Sequence, residues 1–524
     1  MSVPTVDALV DDNEKQLGTT ADVVDVEPKV TYGATVVGEH ETEAVNYNFT
    51  YKETQKLLRR VDLHLIPLLM LAYLLKNVDG NILSYMKVMN SGQPTNVLKQ
   101  LHMTANDWSY LSTVATVPFL VFDIPSNMIL KWSTPRLHFC RIIFVWSVTE
   151  CCMAACKNKA GILTARFFIG MATAGMFPGI LVQLTMWYRP DELALRMACI
   201  SMLGQFSGIL DALLAYGVQY IDGRGGLSGW QWCFIILGLL GFPLCAAIFF
   251  LHPDYPDQTV RQWFTPEEAA YLAARLPPNA ARSTDPNFSW PEIKGALKDP
   301  LTWGFGMAML FEQTGTAGYS WWLPTIIAGF GFTSTANSQL LNIPPAAIYI
   351  IAAAVSSYYV DRQYRIPRPV FQLAAMIMMI GLFAGLTVLP PTSKGPLMAL
   401  ILLFGIPSAV FQSMIYPWRS QTVKGSSYAA FAFAFQNSIG QLAGIFSPQI
   451  FRSQYAPSYR IPFIVCNVFL GCTVFAILFI WKIAYTSEKE TRRVAKVRRD
   501  EGKEGNMIAD VEVHDPRITT RPTS

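Results

Sequence analysis

The chain has 524 residues, 52% of them hydrophobic and 15% charged, with a net charge of +4 at neutral pH. Soluble domains carry about 25% charged residues, so the composition argues against a soluble globular protein. The small net charge singles out no partner class, and no nucleic-acid partner is expected.

Residues 1–50 hold ten Asp or Glu against Lys15 and Lys29 and lack apolar periodicity. They are read as a disordered acidic tail, 1–57, without the apolar stretch of a cleavable signal peptide. From Asp62 to about Lys482, long apolar runs follow one another. A helix needs about 20 apolar residues to cross a hydrocarbon core of about 30 Å, and lipid leaves only helices and closed barrels with a satisfied backbone. Runs this long are not barrel strands. Twelve spans are predicted, at about 63–84, 107–129, 139–157, 161–185, 195–219, 231–252, 301–324, 340–360, 369–389, 397–417, 428–449 and 462–483. Residues 253–300, rich in Pro and charge, separate a six-helix bundle (58–252) from a second one (301–484), the hydropathy of transporters built from two halves. A basic, disordered tail is expected over 485–524. The expected class is an all-α integral membrane protein surrounded by lipid, working as a monomer.

Basic residues in the loops set the orientation. With both ends cytoplasmic, the inner loops carry fifteen Lys or Arg and the outer loops eight, so cytoplasmic termini are expected. The plasma membrane is the expected location, although no targeting signal separates it from an internal membrane. The nine cysteines fall mostly in apolar runs with neither zinc nor disulfide spacing, and read as small core residues. No pair of the six histidines has metal-ligand spacing, and neither a phosphate-binding loop nor a nucleophile elbow is present. Neither enzymatic activity nor a cofactor is expected.

A charge inside the membrane is costly, about 2.5–3.5 kcal/mol on insertion scales, and so is a candidate for function. Lys76 and Asp79 share a helical face and lie within pairing reach. Together they either tether the first span or form a gate in which Asp79 takes a proton when Lys76 moves away. Asp123 is read as a cytoplasmic gating contact near Lys131 and Arg136. Glu150 is placed near the outer interface. Arg166, a permanent cation that can grip a carboxylate through two hydrogen bonds, is a candidate for binding an anion or for biasing a neighbouring acid; a structural charge on helix-end carbonyls is the other reading. Asp211, after Gly204 and Gly208, is either a proton site or a tether. Glu312 is the leading proton-site candidate, with Gln313 beside it offering hydrogen bonds to a substrate. Trp321 is a candidate wall for a planar substrate, whereas most interfacial Trp and Tyr are belt anchors. Gln436 and Asn437 offer neutral hydrogen bonds.

Several stretches, in order, resemble the fungal anion:cation symporter branch of the major facilitator superfamily, the allantoate permease group. They are Arg60-Val-Asp62-Leu-His-Leu-Ile-Pro67, Asp123-Ile-Pro-Ser-Asn127, Arg166-Phe-Phe-Ile-Gly170 running on to Gly175-Met-Phe-Pro178-Gly179, Trp187-Tyr188-Arg189, Leu323-Pro324-Thr-Ile-Ile327 and Ser447-Pro448-Gln449-Ile-Phe451-Arg452. The resemblance implies a twelve-helix major facilitator fold and transport of small organic anions such as allantoate, nicotinate, pantothenate or biotin, commonly with protons. It departs from that group in two places: the Arg usual after the first-span Asp is absent from Asp79-Gly80-Asn81, and Thr173 stands where a Glu is usual. The expected function is proton-coupled symport of a carboxylate by alternating access. The alternatives are a proton-antiport exporter of a metabolite, including a secondary metabolite, and a nutrient-sensing receptor without net flux.

Overall fold

The computed structural model describes residues 32–33, 46–47, 51–188, 190–256, 264–274, 290–329, 331, 334–362, 366–390, 393–420, 422, 426–456 and 458–500. Most of the expected acidic tail, part of the central loop and residues 501–524 lie outside these residues. The chain divides into two compact units, Met1–Leu58 and Arg59–Ser524. In the first, β1 (Tyr32–Gly33) pairs antiparallel with β2 (Asn46–Tyr47).

The rest of the described chain is helical, as the long apolar runs require of a backbone that must satisfy itself in lipid. In order come α1 (Tyr51–Met86), α2 (Val97–Gln100), α3 (Ala105–Trp132), α4 (Pro135–Met153), α5 (Lys159–Thr173), α6 (Met176–Trp187), α7 (Pro190–Gln205), α8 (Ser207–Val218) and α9 (Gly229–Leu251). Two short helices follow in the polar interruption, α10 (Pro266–Ala274) and α11 (Trp290–Lys298). Then come α12 (Pro300–Gly329), α13 (Thr335–Leu340), α14 (Ile343–Arg362), α15 (Arg368–Val388), α16 (Lys394–Ser420), α17 (Ser426–Gln441), α18 (Ala443–Ile450) and α19 (Arg460–Asp500). Among the described residues, eight helical stretches are long and apolar enough to cross a membrane. Large apolar side chains point outward from them, among them Leu63, Phe250, Ile377, Val388 and Phe475; such a surface needs an apolar surround.

Local chemistry sets several boundaries. Thr104 and Asp107 form a reciprocal capping box at the start of α3, and Asn158 accepts the Gly161 N–H at the start of α5. The predicted fourth span is broken between α5 and α6, where Gly175 takes a left-handed φ of 79° that glycine adopts without steric cost. Breaks also separate α7 from α8 and α17 from α18. Discontinuous helices of this kind line transport sites in many carriers. At the other extreme, α19 runs on to Asp500, through residues expected to be disordered.

Two groups of helices form. In one, α4 packs on α5 and α9, and α3 on α5; in the other, α12 packs on α17, α18 and α19, and α15 on α16 and α19. The groups meet where α3 lies along α18 and where α8 lies along α13 and α14. Ser112 and Thr113 on α3 donate to the Gly444 and Ile445 carbonyls at 3.3 and 3.1 Å, and Asn106 accepts the Ser453 N–H at 2.9 Å. These contacts lie at the end of the bundle where α1 finishes and α3 begins.

Candidate functional site

The first cluster draws on three helices. Asp79 on α1 forms an ion pair with Arg166 on α5 at 2.8 Å and accepts from the Trp146 indole on α4 at 3.2 Å. Glu150, one turn along α4 from Trp146, lies 3.8 Å from the same guanidinium. Asp79 and Glu150 are also within electrostatic reach of each other, and neither Glu150 oxygen has a hydrogen-bond partner. Asp79, Glu150 and Arg166 are 3%, 0% and 2% exposed, so water screens none of these interactions. Two carboxylates are both acceptors; they can bond to each other only if one carries a proton. Two acids around one permanent cation are electrically neutral only when they hold one proton between them.

This arrangement corrects two expectations. Asp79 pairs with Arg166 rather than with Lys76, because the helix packing brings a guanidinium to it from α5. Lys76 instead lies about 6 Å from the rings of Tyr73 and Phe119. Asp79 and Glu150 flank Arg166, whose Nε and Nη2 have no hydrogen-bond partner. Glu150, placed near the outer interface from the sequence, is instead fully buried in the cluster. The signal for it was available: α4 and α5 form an antiparallel hairpin, and Glu150 and Arg166 are each eight residues from Asn158 at its turn.

Beside this cluster, Leu75, Lys76, Trp146 and Thr173 line a small cavity. Thr173 donates back to the Ile169 carbonyl at 2.8 Å. Asp211 on α8 is buried, its carboxylate within electrostatic reach of Asp79 and neither oxygen hydrogen-bonded. Asn81 donates to Ser207 at 3.0 Å and Tyr85 to the Gly208 carbonyl at 3.3 Å, which tie the far part of α1 to α8.

In the second group of helices, Glu312 on α12 is fully buried and accepts from Gln412 on α16 at 3.1 Å and from Thr316 at 3.4 Å. Tyr349 on α14 and Tyr416 on α16 lie within electrostatic reach of both Glu312 and Tyr73 of α1. Tyr73, Lys76, Tyr349, Gln412 and Tyr416 are all partly exposed although they sit mid-helix. Tyr73 of the first group thus lies near the tyrosines around Glu312 in the second, while Lys76 lines the small cavity within the first. Sequence reading missed the tyrosines, because one Tyr in an apolar run looks like any other.

The other expected residues are more dispersed. The Gln313 amide lies against Gly440 on α17. Gln436 is buried with both amide atoms unbonded, and Asn437 beside it is partly exposed. Trp321 is buried with its indole N–H unbonded, while its neighbour Trp322 donates to the Pro448 carbonyl. Asp123 accepts the Gly175 N–H at 2.9 Å and Ser126 donates to the Ala174 carbonyl at 2.7 Å. The Asp-Ile-Pro-Ser segment therefore satisfies backbone groups freed by the break between α5 and α6. Of the two cations expected near Asp123, Arg136 bonds Asp254 through both its backbone N–H and its guanidinium. The Lys131 side chain lies outside the described residues.

Comparison with known proteins agrees with this architecture. The Major Facilitator Superfamily matches over residues 69–448. An uncharacterized transporter of Schizosaccharomyces pombe is 29% identical over 79% of this chain and 80% of its own length. The MFS-type transporter cnsO of Penicillium expansum is 27% identical over 86% and 88%. Among solved structures, a bacterial homolog of the human lysosomal transporter Spinster, inward-facing and unoccupied, superposes with a TM-score of 0.63 at 13% identity, covering 84% of this chain and 99% of that one. A D-xylose–proton symporter gives 0.59 at 14% identity, over 80% and 98%. With an all-helical fold in two groups and a family match across most of its length, the chain belongs to the Major Facilitator Superfamily and is a membrane transporter, not an enzyme.

Proposed function

We propose that the chain is a proton-coupled secondary transporter that takes up a small organic anion by alternating access between two six-helix halves. Twelve spans, both termini in the cytosol and a plasma-membrane location complete this reading, as does assignment to the allantoate permease group. The observation that carries it is the buried cluster in which Asp79 and Glu150 close on Arg166. A proton held there cancels the excess negative charge, and its loss recharges the interior of one half. Arg166 then serves to bias the proton. Lys76, which makes no ion pair with a described residue and lines the small cavity beside the cluster, is the cation left to meet the cargo. Glu312 and Asp211 are further buried acids for the same coupling, and Gln313, Trp321, Gln436 and Asn437 supply neutral contacts to the cargo. Asp123 steadies the broken fourth span during the rocking motion.

A second reading keeps the fold and reverses the flow, with export of a metabolite against proton entry. The absence of the usual Arg after Asp79, and Thr173 at a position where the group usually has Glu, favour it. Reconstituted vesicles given a panel of small carboxylates and a pH gradient of either sign distinguish the two. Accumulation in the direction of proton flow supports symport, accumulation against it supports export, and solute flux indifferent to both gradients overturns proton coupling.

A further inference from the structure

The end of the bundle where the two helix groups meet contains a charge that the transport site does not use. Lys87 directly follows α1, is 4% exposed, and its ammonium has no hydrogen-bond partner. The ammonium lies 3.7 Å above the ring of Trp322, on α12 of the other group. Trp322 is itself fully buried, held by its indole bond to the Pro448 carbonyl and packed near Tyr459. Lys87 is aimed from its own side as well, since the Asn96 side chain donates to the Met89 carbonyl at 2.7 Å and the Lys87 carbonyl at 3.4 Å. Around this contact the groups are joined by the bonds of Asn106, Ser112 and Thr113, and by Gln449 to Thr113 at 3.4 Å.

The chemistry of this contact is lopsided. A desolvated ammonium with neither carboxylate nor hydrogen bond is strongly unfavourable. An aromatic face returns only part of that cost. The same side chain regains its hydration when the two groups part at this end. Lys87 therefore penalises the shut arrangement, and Trp322 limits the penalty.

We infer that Lys87 on Trp322 is the release element of this seal: the buried ammonium keeps the closed end marginal, so that it can reopen in each cycle. The inference holds whichever cargo is moved and in whichever direction. It gives Lys87 a role in the rate of conformational exchange and none in recognising the cargo.

The test uses the full chain in vesicles, with spin labels carried on genetically encoded residues at the exposed positions 93 and 454, so that the native cysteines remain. The distance distribution between the labels reports the ratio of open to closed ends. Lys87→Met keeps the volume and removes the charge; it should lower that ratio by at least about tenfold and slow turnover, while cargo affinity in the closed state is unchanged. Trp322→Leu keeps the ammonium and removes the ring, and should raise the ratio. Lys87→Arg should behave as the wild type. A ratio unchanged in Lys87→Met overturns the inference. A ratio that rises in Lys87→Met also overturns it, because Lys87 would then be a fastening rather than a release.

Discussion

Glu150 and Arg166 stand at the same depth on adjacent antiparallel helices, with Oε1 and Nη2 3.8 Å apart, and Asp79 closes on the guanidinium from a third helix. Removing the cation leaves two buried acids facing each other. Arg166→Gln should therefore destabilise the protein by about 3–5 kcal/mol, the cost of breaking a buried ionic cluster. Asp79→Asn added to Arg166→Gln should recover much of that stability and none of the transport. Thermal unfolding in detergent together with vesicle flux separates the two effects; equal stability of the single and double variants would refute the pairing.

Close helix approach is built on single glycines. A Cβ at Gly170 would lie 2.0 Å from the Ala115 carbonyl oxygen on α3, and one at Gly318 would lie 2.2 Å from that of Ser447 on α18. Both neighbours are backbone and cannot swing aside. Gly170→Ala and Gly318→Ala should each cost at least about 1–3 kcal/mol and lower the yield of folded protein. Gly381→Ala, with nothing within 4 Å of its Cβ, should be tolerated. Comparing the size-exclusion profiles of the three variants checks the packing.

Asp123 has a backbone role at the break in the fourth span. Asp123→Ala frees the Gly175 N–H that its carboxylate accepts, which should cost about 1–3 kcal/mol. Arg136→Ala should perturb a different contact, its pairing with Asp254. If Asp123 and Arg136 act separately, the two effects add within about 0.5 kcal/mol in a double-mutant cycle. A coupling above 1 kcal/mol would restore the direct gating contact expected from the sequence.

Glu312 holds its position through Gln412 and Thr316. Glu312→Gln keeps the volume and the hydrogen-bonding capacity but cannot ionise. Cargo binding should survive, and the dependence of flux on the pH gradient should weaken. Full pH-coupled transport by this variant, measured with an internal pH dye, removes Glu312 from the coupling path.

The sequence made the helices legible because the membrane imposes length and apolarity on each of them, and Lys76, Asp79, Arg166, Asp211 and Glu312 stood out as charges against that background. Their partners were harder to read. Helical spacing relates Lys76 to Asp79 within α1, but says nothing about which residue of α5 faces the same point. Arg166 won that contact through packing between helices. Glu150 escaped because its depth was judged from its own helix instead of from the hairpin that pairs it with Arg166. Lys87 looked like an ordinary loop cation, since nothing local to it shows that Trp322 closes over it from the second group of helices.

The central claim is that Asp79, Glu150 and Arg166 hold the coupled proton. It is tested most directly by comparing pH-driven accumulation with gradient-free solute exchange in vesicles containing Glu150→Gln. With a neutral amide in place of the acid, the cluster no longer needs a proton to balance Arg166 against Asp79. Exchange should persist within a few-fold of wild type, while accumulation driven by the pH gradient is lost. Undiminished accumulation by Glu150→Gln would contradict the assignment and place the coupled proton elsewhere in the chain.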